Sequence, residues 1–123
     1  MKNTATPFPM PSRVIHEPAR LAILIVLARG TPADFLSLQR ITGLSKGNLS
    51  VQLTNLEKAG LVKSSKEITG KKTHTTLRLS ERGAAELEQY WQTMDEIRRQ
   101  MTAREEQQVA PPRSWSVWNP RSG

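Results

Sequence analysis

The stretch ITGLSKGNLSVQLTNLEKAGLV, residues 41–62, contains a turn, a helix start, an amphipathic helix and a helix stop, in that order. Three leucines recur along it at spacings of four and three residues: Leu49, Leu53 and Leu56. This spacing is typical of the buried stripe of an α-helix. Ser45 offers a hydroxyl that can cap the helix start, and Gly60 tolerates the left-handed backbone that ends many helices. With a shorter amphipathic segment before Gly43, the stretch predicts a helix-turn-helix.

The side of the second helix that faces away from the leucines is small and polar. On a helical wheel this side holds Gly47, Asn48, Ser50, Val51, Thr54, Asn55 and Lys58, with Gln52 near its boundary. Side chains of Asn, Gln, Ser and Thr hydrogen-bond to base edges or phosphates, and Lys adds positive charge. For an amphipathic helix on its own, a solvated surface face is the competing interpretation.

Composition points to one small domain and an anionic partner. The chain has 123 residues, a formal net charge of +7 and no cysteine. Residues 63–79 carry a net charge of +4, whereas residues 80–107 carry −3, so the positive excess directly follows the candidate recognition helix. The absence of cysteine excludes disulfides, thiolate metal sites and thiol redox sensing.

No segment of the sequence is typical of membrane insertion or secretion. The longest apolar run, residues 21–28, is far too short to cross a bilayer. Residues 1–12 contain three prolines and no apolar core of a signal peptide, which predicts a flexible N-terminal arm. We therefore expect a cytoplasmic protein with no membrane partner.

Two helices are expected before the central one. Pro18 is suited to the first turn of a helix that runs to about Arg29, where Gly30 stops it. This helix is apolar all round over residues 21–28, so we expect part of it to contact a second subunit. Asp34 can cap a short helix over residues 36–42, with Leu38 and Ile41 facing inward.

A hairpin is expected after the central helix, from strands at residues 61–67 and 73–79. The second strand is rich in β-branched residues, and Gly70 supplies the turn between them. The tip carries Lys71 and Lys72. Lysines of this kind either protect an edge hairpin from aggregation or reach a phosphate backbone.

The last predicted helix, residues 81–107, begins at the Ser80 cap and bears an apolar seam. Its members are Leu87, Tyr90 or Trp91, Met94, Ile97 and Met101, a repeat of about three and a half residues. Packing on its own domain is possible, but the helix is too long for that alone, so we expect it to pair with a second copy. Residues 108–123, with Trp115 and Trp118, are expected to form a flexible tail.

This order of elements resembles the small winged helix-turn-helix transcriptional regulators of the MarR and ArsR families. The resemblance covers roughly residues 14–100, and it is carried by three motifs. They are an H-x-P-x-R-L-x-I-L opening from His16, the signature of residues 43–62, and a wing with Lys66, Gly70, Lys71, Lys72 and Thr73 that ends in LRLSERG at residues 77–83.

The resemblance implies a fold and a function. The fold would be mainly α with a small β-hairpin: a winged helix-turn-helix domain at residues 13–80 and a dimerisation helix at 81–107. A homodimer would bind double-stranded DNA, with helix 46–59 in the major groove and the wing, residues 66–74, on the backbone or minor groove. The implied DNA contacts are Lys46, Asn48, Ser50, Gln52, Thr54, Asn55, Lys71, Lys72 and Thr73, and the implied dimer contacts are Leu87, Trp91, Met94, Ile97 and Met101.

Other functions have less support in the sequence. There is no Gly-rich phosphate loop and no nucleophile with a nearby base, so no enzyme activity and no cofactor are expected. Two isolated histidines, His16 and His74, do not make a metal site. A protein-interaction module is the main alternative, because winged helices also serve in docking. The basic wing favours DNA, since a docking module has no need of it.

Overall fold

Four helices and one hairpin make up the computed structural model, which describes residues 8–30 and 32–107. In chain order the elements are α1 (Pro18–Leu27), α2 (Phe35–Thr42), α3 (Lys46–Lys58), β1 (Val62–Thr69), β2 (Lys72–Leu79) and α4 (Glu81–Gln107). The expected fold, mainly α with a small antiparallel hairpin, is therefore confirmed. The C-terminal tail and most of the N-terminal arm lie outside the described residues.

Helix α1 starts at the predicted residue, Pro18, and ends at Leu27, two residues before the predicted end at about Arg29. Pro18 occupies its first turn, and the Glu17 carboxylate caps it by accepting from the Arg20 backbone N–H at 2.7 Å. One broad face is buried in the core, while Ile25 on the opposite side keeps 38% of its surface exposed. Part of the apolar surface predicted for this helix thus lies on the surface of the chain.

Caps and one glycine define the helix-turn-helix. The Asp34 carboxylate accepts from the Ser37 N–H at 2.8 Å at the start of α2. Gly43, with φ +74°, ends α2 in the left-handed conformation. The Ser45 hydroxyl then accepts from the Asn48 N–H at 3.1 Å and starts α3.

One expectation about α2 is wrong. Leu38 is fully buried as predicted, but Ile41 is 51% exposed. Three helical residues after Leu38, the side chain of Ile41 has turned past the core and lies at the rim of a cleft between α1, α2 and β2. A helix of eight residues with a narrow apolar stripe does not bring both side chains under cover.

The hairpin is longer toward its tip than expected. The strands pair in register from Val62 opposite Leu79 to Thr69 opposite Lys72, which leaves a two-residue turn, Gly70 and Lys71. Gly70 has φ +64°, and a positive φ at the first turn residue alone matches a type II′ turn. The turn therefore requires glycine at this position and places two lysines at the tip.

An isolated β-bridge borders β2, and no sequence pattern predicts it. The backbone of Ala33 pairs with that of Leu77 through two hydrogen bonds of 3.0 and 2.7 Å. This bridge joins the start of the helix-turn-helix to the hairpin, so the orientation of the wing relative to α2 is fixed by backbone contacts.

The core lies between the first three helices, the base of the hairpin and the start of α4. Its members are Ile15, Ile23, Leu24, Leu27, Leu38, Leu49, Leu53, Leu56, Leu61, Val62, Leu77, Leu87 and Tyr90. The three leucines of α3 are all buried as predicted, at 0 to 6% exposure. Because they anchor one side of α3, the polar side is held outward.

Helix α4 spans the predicted range and leaves its own domain partway along. The Ser80 hydroxyl caps it, accepting from the Gly83 N–H at 2.8 Å. Leu87, one of the expected dimer contacts, is 5% exposed and belongs to the core of the chain itself, so little of its surface is left for a second copy. Farther along, Trp91 is 41% and Met101 57% exposed. Within the described part of the chain, no helix is long and apolar enough to cross a membrane.

Candidate nucleic-acid interface

The outward side of α3 has an apolar and basic crest between two polar flanks. Gly47, Val51 and Lys58 follow the crest and are all exposed, with Val51 at 56%. A valine there can contact a thymine methyl group, and a lysine can contact phosphate. These crest residues lie in the middle of the outward side on the helical wheel, but they are not among the DNA contacts implied by the resemblance. Lys46 is one of the implied contacts, and it is exposed at the first residue of α3.

One flank of α3 faces the hairpin. Ser50 and Thr54 line a groove together with Ser64 and Thr75 from the two strands. The Thr54 hydroxyl donates to the Ser50 carbonyl at 3.0 Å, so its proton is used within the helix and its oxygen remains as an acceptor. The two hydroxyl-bearing positions predicted as groove contacts therefore lie between the helix and the wing.

The other flank faces the start of α1 and carries the amide side chains. The Gln52 amide nitrogen donates to the Asn48 side-chain oxygen at 3.0 Å. Arg20 of α1 donates from Nη1 to the Gln52 side-chain oxygen at 2.8 Å, although the two residues are 32 apart in sequence. Asn55 lines the same side, in a cleft with Arg13 and Arg20.

Arg20 contacts α3 through Gln52, and the sequence patterns did not reveal this contact. Its guanidinium also donates to the carbonyl oxygens of Val14 and Arg13, which hold it against the segment before α1. Arg20 belongs to the H-x-P-x-R-L opening, so the motif marked it as distinctive. A contact with α3 could not be read from a motif that lies so far away along the chain.

The wing concentrates positive charge. Lys71 and Lys72 lie at the turn, and Thr73 follows on β2 opposite Ile68, all of them exposed. Lys63 and Arg78 stand directly opposite each other across the strands, a pairing of like charges that costs stability. Among the ion pairs of the described residues, none involves a lysine or arginine of residues 63–79. This charge is therefore left available to an anion.

A side-chain pair joins the wing to the helix-turn-helix. His74 Nε2 on β2 lies 3.8 Å from the carboxylate of Asp34, the cap of α2. The backbone N–H of Ser37 holds the pKa of Asp34 below its usual value, and its hydroxyl, His74 and Arg40 act in the same direction. A carboxylate kept ionised here stabilises the first turn of α2.

The two histidines lie in separate places. The Nδ1 atom of His16 is 2.9 Å from the Tyr90 hydroxyl, so His16 ties the segment before α1 to α4. His74 lies on the wing. Across residues 8–30 and 32–107, no group of three or more side chains is placed to hold a metal ion.

Comparison with known proteins identifies the family. A family model described as a winged helix DNA-binding domain matches residues 19–98, about two thirds of the chain. The chain belongs to this family of winged helix DNA-binding domains. No curated protein sequence matches it.

Solved structures with the same fold are transcriptional regulators. A transcriptional regulator homologue from Pyrococcus horikoshii OT3 has 27% identity and a TM-score of 0.67, over 73% of this chain and 89% of that one. A MarR-family regulator from Silicibacter pomeroyi has 19% identity and a TM-score of 0.55, over 85% of this chain and 66% of that one. The repressor CouR, solved with a 23-mer DNA duplex, has 22% identity and a TM-score of 0.58, over 67% of this chain and 57% of that one. The expected resemblance to small winged helix-turn-helix regulators is confirmed, and these neighbours are named as transcriptional regulators rather than enzymes.

Proposed function

We propose that the protein is a sequence-specific transcriptional regulator that binds double-stranded DNA as a homodimer. The observation that carries the proposal is the position of the exposed polar side of α3 next to a hairpin whose lysines and arginine have no acidic partner among the described residues. Groove contacts and phosphate contacts are thus offered side by side, as a duplex requires. The structure of CouR with a DNA duplex supports this choice of partner.

The binding mode follows from the two surfaces. Helix α3 enters the major groove, where Lys46, Asn48, Ser50, Gln52, Thr54 and Asn55 stand on its outward side or flanks. The tip of the wing, Lys71 to Thr73, contacts the backbone or the adjacent minor groove. Because phosphate contacts position the protein and base contacts select the site, the wing supplies affinity and α3 supplies specificity.

The second subunit is assigned to the exposed apolar side of α4. Trp91 and Met101 are exposed, Met94 and Ile97 are half-buried, and together they extend the apolar stripe beyond the domain core. Helix α4 has 27 residues and is about 40 Å long. Pairing two such helices would bury this stripe and leave residues 13–80 of each subunit as a DNA-binding domain. Two copies of α3 would then face half-sites about one helical turn apart. A regulator of this kind acts in the cytoplasm, where its DNA is accessible.

Titration of labelled duplex DNA at several salt concentrations tests the proposal. Binding by a basic wing predicts that affinity falls steeply and linearly on a log–log plot against salt. Selection from a random duplex pool should then return a roughly palindromic site. Protein that shows no salt-dependent duplex binding, yet forms a dimer, would instead support the docking-module alternative.

A further inference from the structure

The hydrogen bonds on the α1 side of α3 have a direction that chemistry fixes. An arginine side chain only donates, so the group that faces Arg20 on Gln52 must be its carbonyl oxygen. The Gln52 amide nitrogen, which also only donates, then lies on the other side, where it meets the side-chain oxygen of Asn48. Neither amide can be rotated end for end without placing a donor against a donor.

This series of hydrogen bonds ends at the side-chain amide of Asn48. The Asn48 side-chain oxygen accepts from Gln52, and no hydrogen bond from the Asn48 side-chain nitrogen to another described residue is present. Asn48 is exposed on the first turns of α3, so its amide nitrogen is open to a partner that accepts a hydrogen bond.

From this geometry we infer that Arg20 and Gln52 form a positioning relay that makes Asn48 a donor to guanine; the inference rests on the proposed DNA-binding function. Guanine is the base whose major-groove edge offers two acceptors, N7 and O6. Adenine offers one acceptor, N7, beside an amino donor, thymine offers one acceptor, O4, beside a methyl group, and cytosine offers only an amino donor. Guanine is therefore the best match for the Asn48 nitrogen. Gln52 acts through Asn48 and does not itself read a base.

The relay explains the placement of Arg20. Its guanidinium is held by backbone carbonyls of Val14 and Arg13 on one side and reaches Gln52 on the other. A donor anchored to the domain in this way holds the direction of both amides when DNA binding removes water from the groove. A free asparagine would sample both amide orientations and accept either class of base edge.

The test measures base preference at the position that Asn48 reads, which is the position whose preference disappears in Asn48→Ala. The wild-type protein should favour guanine there on the order of tenfold. In Gln52→Glu, one carboxylate oxygen still accepts from Arg20 and the other accepts from the Asn48 nitrogen. Asn48 must then turn its oxygen to the groove, and the preference should move to adenine or cytosine.

Three further variants separate the relay from general effects. Asn48→Asp should move the preference in the same direction as Gln52→Glu, because it also presents an oxygen. Arg20→Lys keeps a group that only donates and should retain the guanine preference, whereas Arg20→Gln can also accept and should lose it. Arg29→Gln changes net charge by the same amount as Gln52→Glu and should leave the preference unchanged.

The outcomes distinguish this inference from the proposed function. Wild-type protein that binds no duplex would remove the basis of both. Wild-type protein that binds duplex in a salt-dependent manner, but with an unchanged base preference in Gln52→Glu, would overturn the relay alone. A wild-type preference for adenine, cytosine or thymine at the Asn48 position would also overturn it.

Discussion

A β-carbon on Gly83 would stand 2.1 Å from the carbonyl oxygen of Leu61. The first turn of α4 therefore rests directly on the backbone that follows α3. The Ser80 hydroxyl adds to this contact, because it donates to the Gly60 carbonyl at 2.6 Å while it caps α4. The segment that ends α3 and the start of α4 are therefore packed at backbone distance.

Gly83→Ala should destabilise the protein even though alanine is the better helix former. The gain in helix propensity is about 1 kcal/mol, but the backbone of Leu61 cannot move aside as a flexible side chain could. We expect a net loss of about 1–3 kcal/mol in the free energy of unfolding, measured by urea denaturation. Gly47→Ala is the matched control, since nothing lies within 4 Å of its added β-carbon, and it should be neutral or stabilising. A Gly83→Ala variant as stable as the wild type would contradict the close packing.

Lys71→Ala combined with Lys72→Ala should reduce the salt dependence of duplex binding. Each lost phosphate contact lowers the log–log slope by about 0.9. A dimer that uses both lysines of both wings should therefore lose about four units of slope. Arg98→Ala combined with Arg99→Ala, on α4 beside Asp95 and Glu96, changes the net charge by the same amount and should leave the slope unchanged. Equal slopes for the wing variant and the wild type would exclude the wing from the phosphate contacts.

Met101→Glu should raise the monomer fraction in sedimentation measurements. Met101 is 57% exposed in the subunit, so a glutamate there is tolerated by the monomer but is costly when buried between two α4 helices. Met94 is a poorer probe, because it packs against the core of its own subunit. Gln100→Glu adds the same charge at a neighbouring exposed position and should leave the mass unchanged. A wild-type dimer that survives Met101→Glu would place the subunit contact elsewhere.

Removal of the α2 cap should cost stability in a pH-dependent way. Asp34→Ala should lose about 1 kcal/mol at neutral pH, because the Ser37 N–H loses its acceptor. The pKa of Asp34 is lower in the folded protein than its ordinary value, so its ionisation stabilises the fold above that value. The stabilisation is lost as the pH falls through the folded pKa, below about pH 4. The difference between wild type and Asp34→Ala should therefore narrow in acid, as thermal melts at several pH values would show. Asp34→Asn keeps a capping oxygen but has no carboxylate, so it should remove most of the pH dependence that Asp34 contributes to stability.

Much of the fold could be predicted because its signals are local. Leucine spacing, Ser45, Gly60 and the hairpin glycine each act within a few residues, and all of them have the expected structural role. The exposure of Ile41 was missed because two apolar residues on a short helix do not define which of them the core can cover. The bridge between Ala33 and Leu77 was missed because one residue has no periodicity.

The positions of the polar side of α3 and of the basic hairpin could be predicted from the sequence, but the hydrogen bonds between side chains of different elements could not. Residue types on α3 and charge on the hairpin mark the two surfaces from sequence alone. The separation of the amide flank from the hydroxyl flank depends on neighbours from α1 and the hairpin. The contact of Arg20 with Gln52 joins two elements that no local pattern connects.

The two-residue turn at Gly70 also sets the length of the hairpin. Five residue steps separate the half-buried Ser65 from the turn, which is about 17 Å at the usual rise of an antiparallel strand. That is close to half a helical turn of duplex DNA, about 17 Å along its axis. A single inserted residue would both lengthen this reach and exchange the two faces of the strand that carries it. The register and the two-residue turn thus fix how far the tip of the hairpin extends beyond the half-buried Ser65.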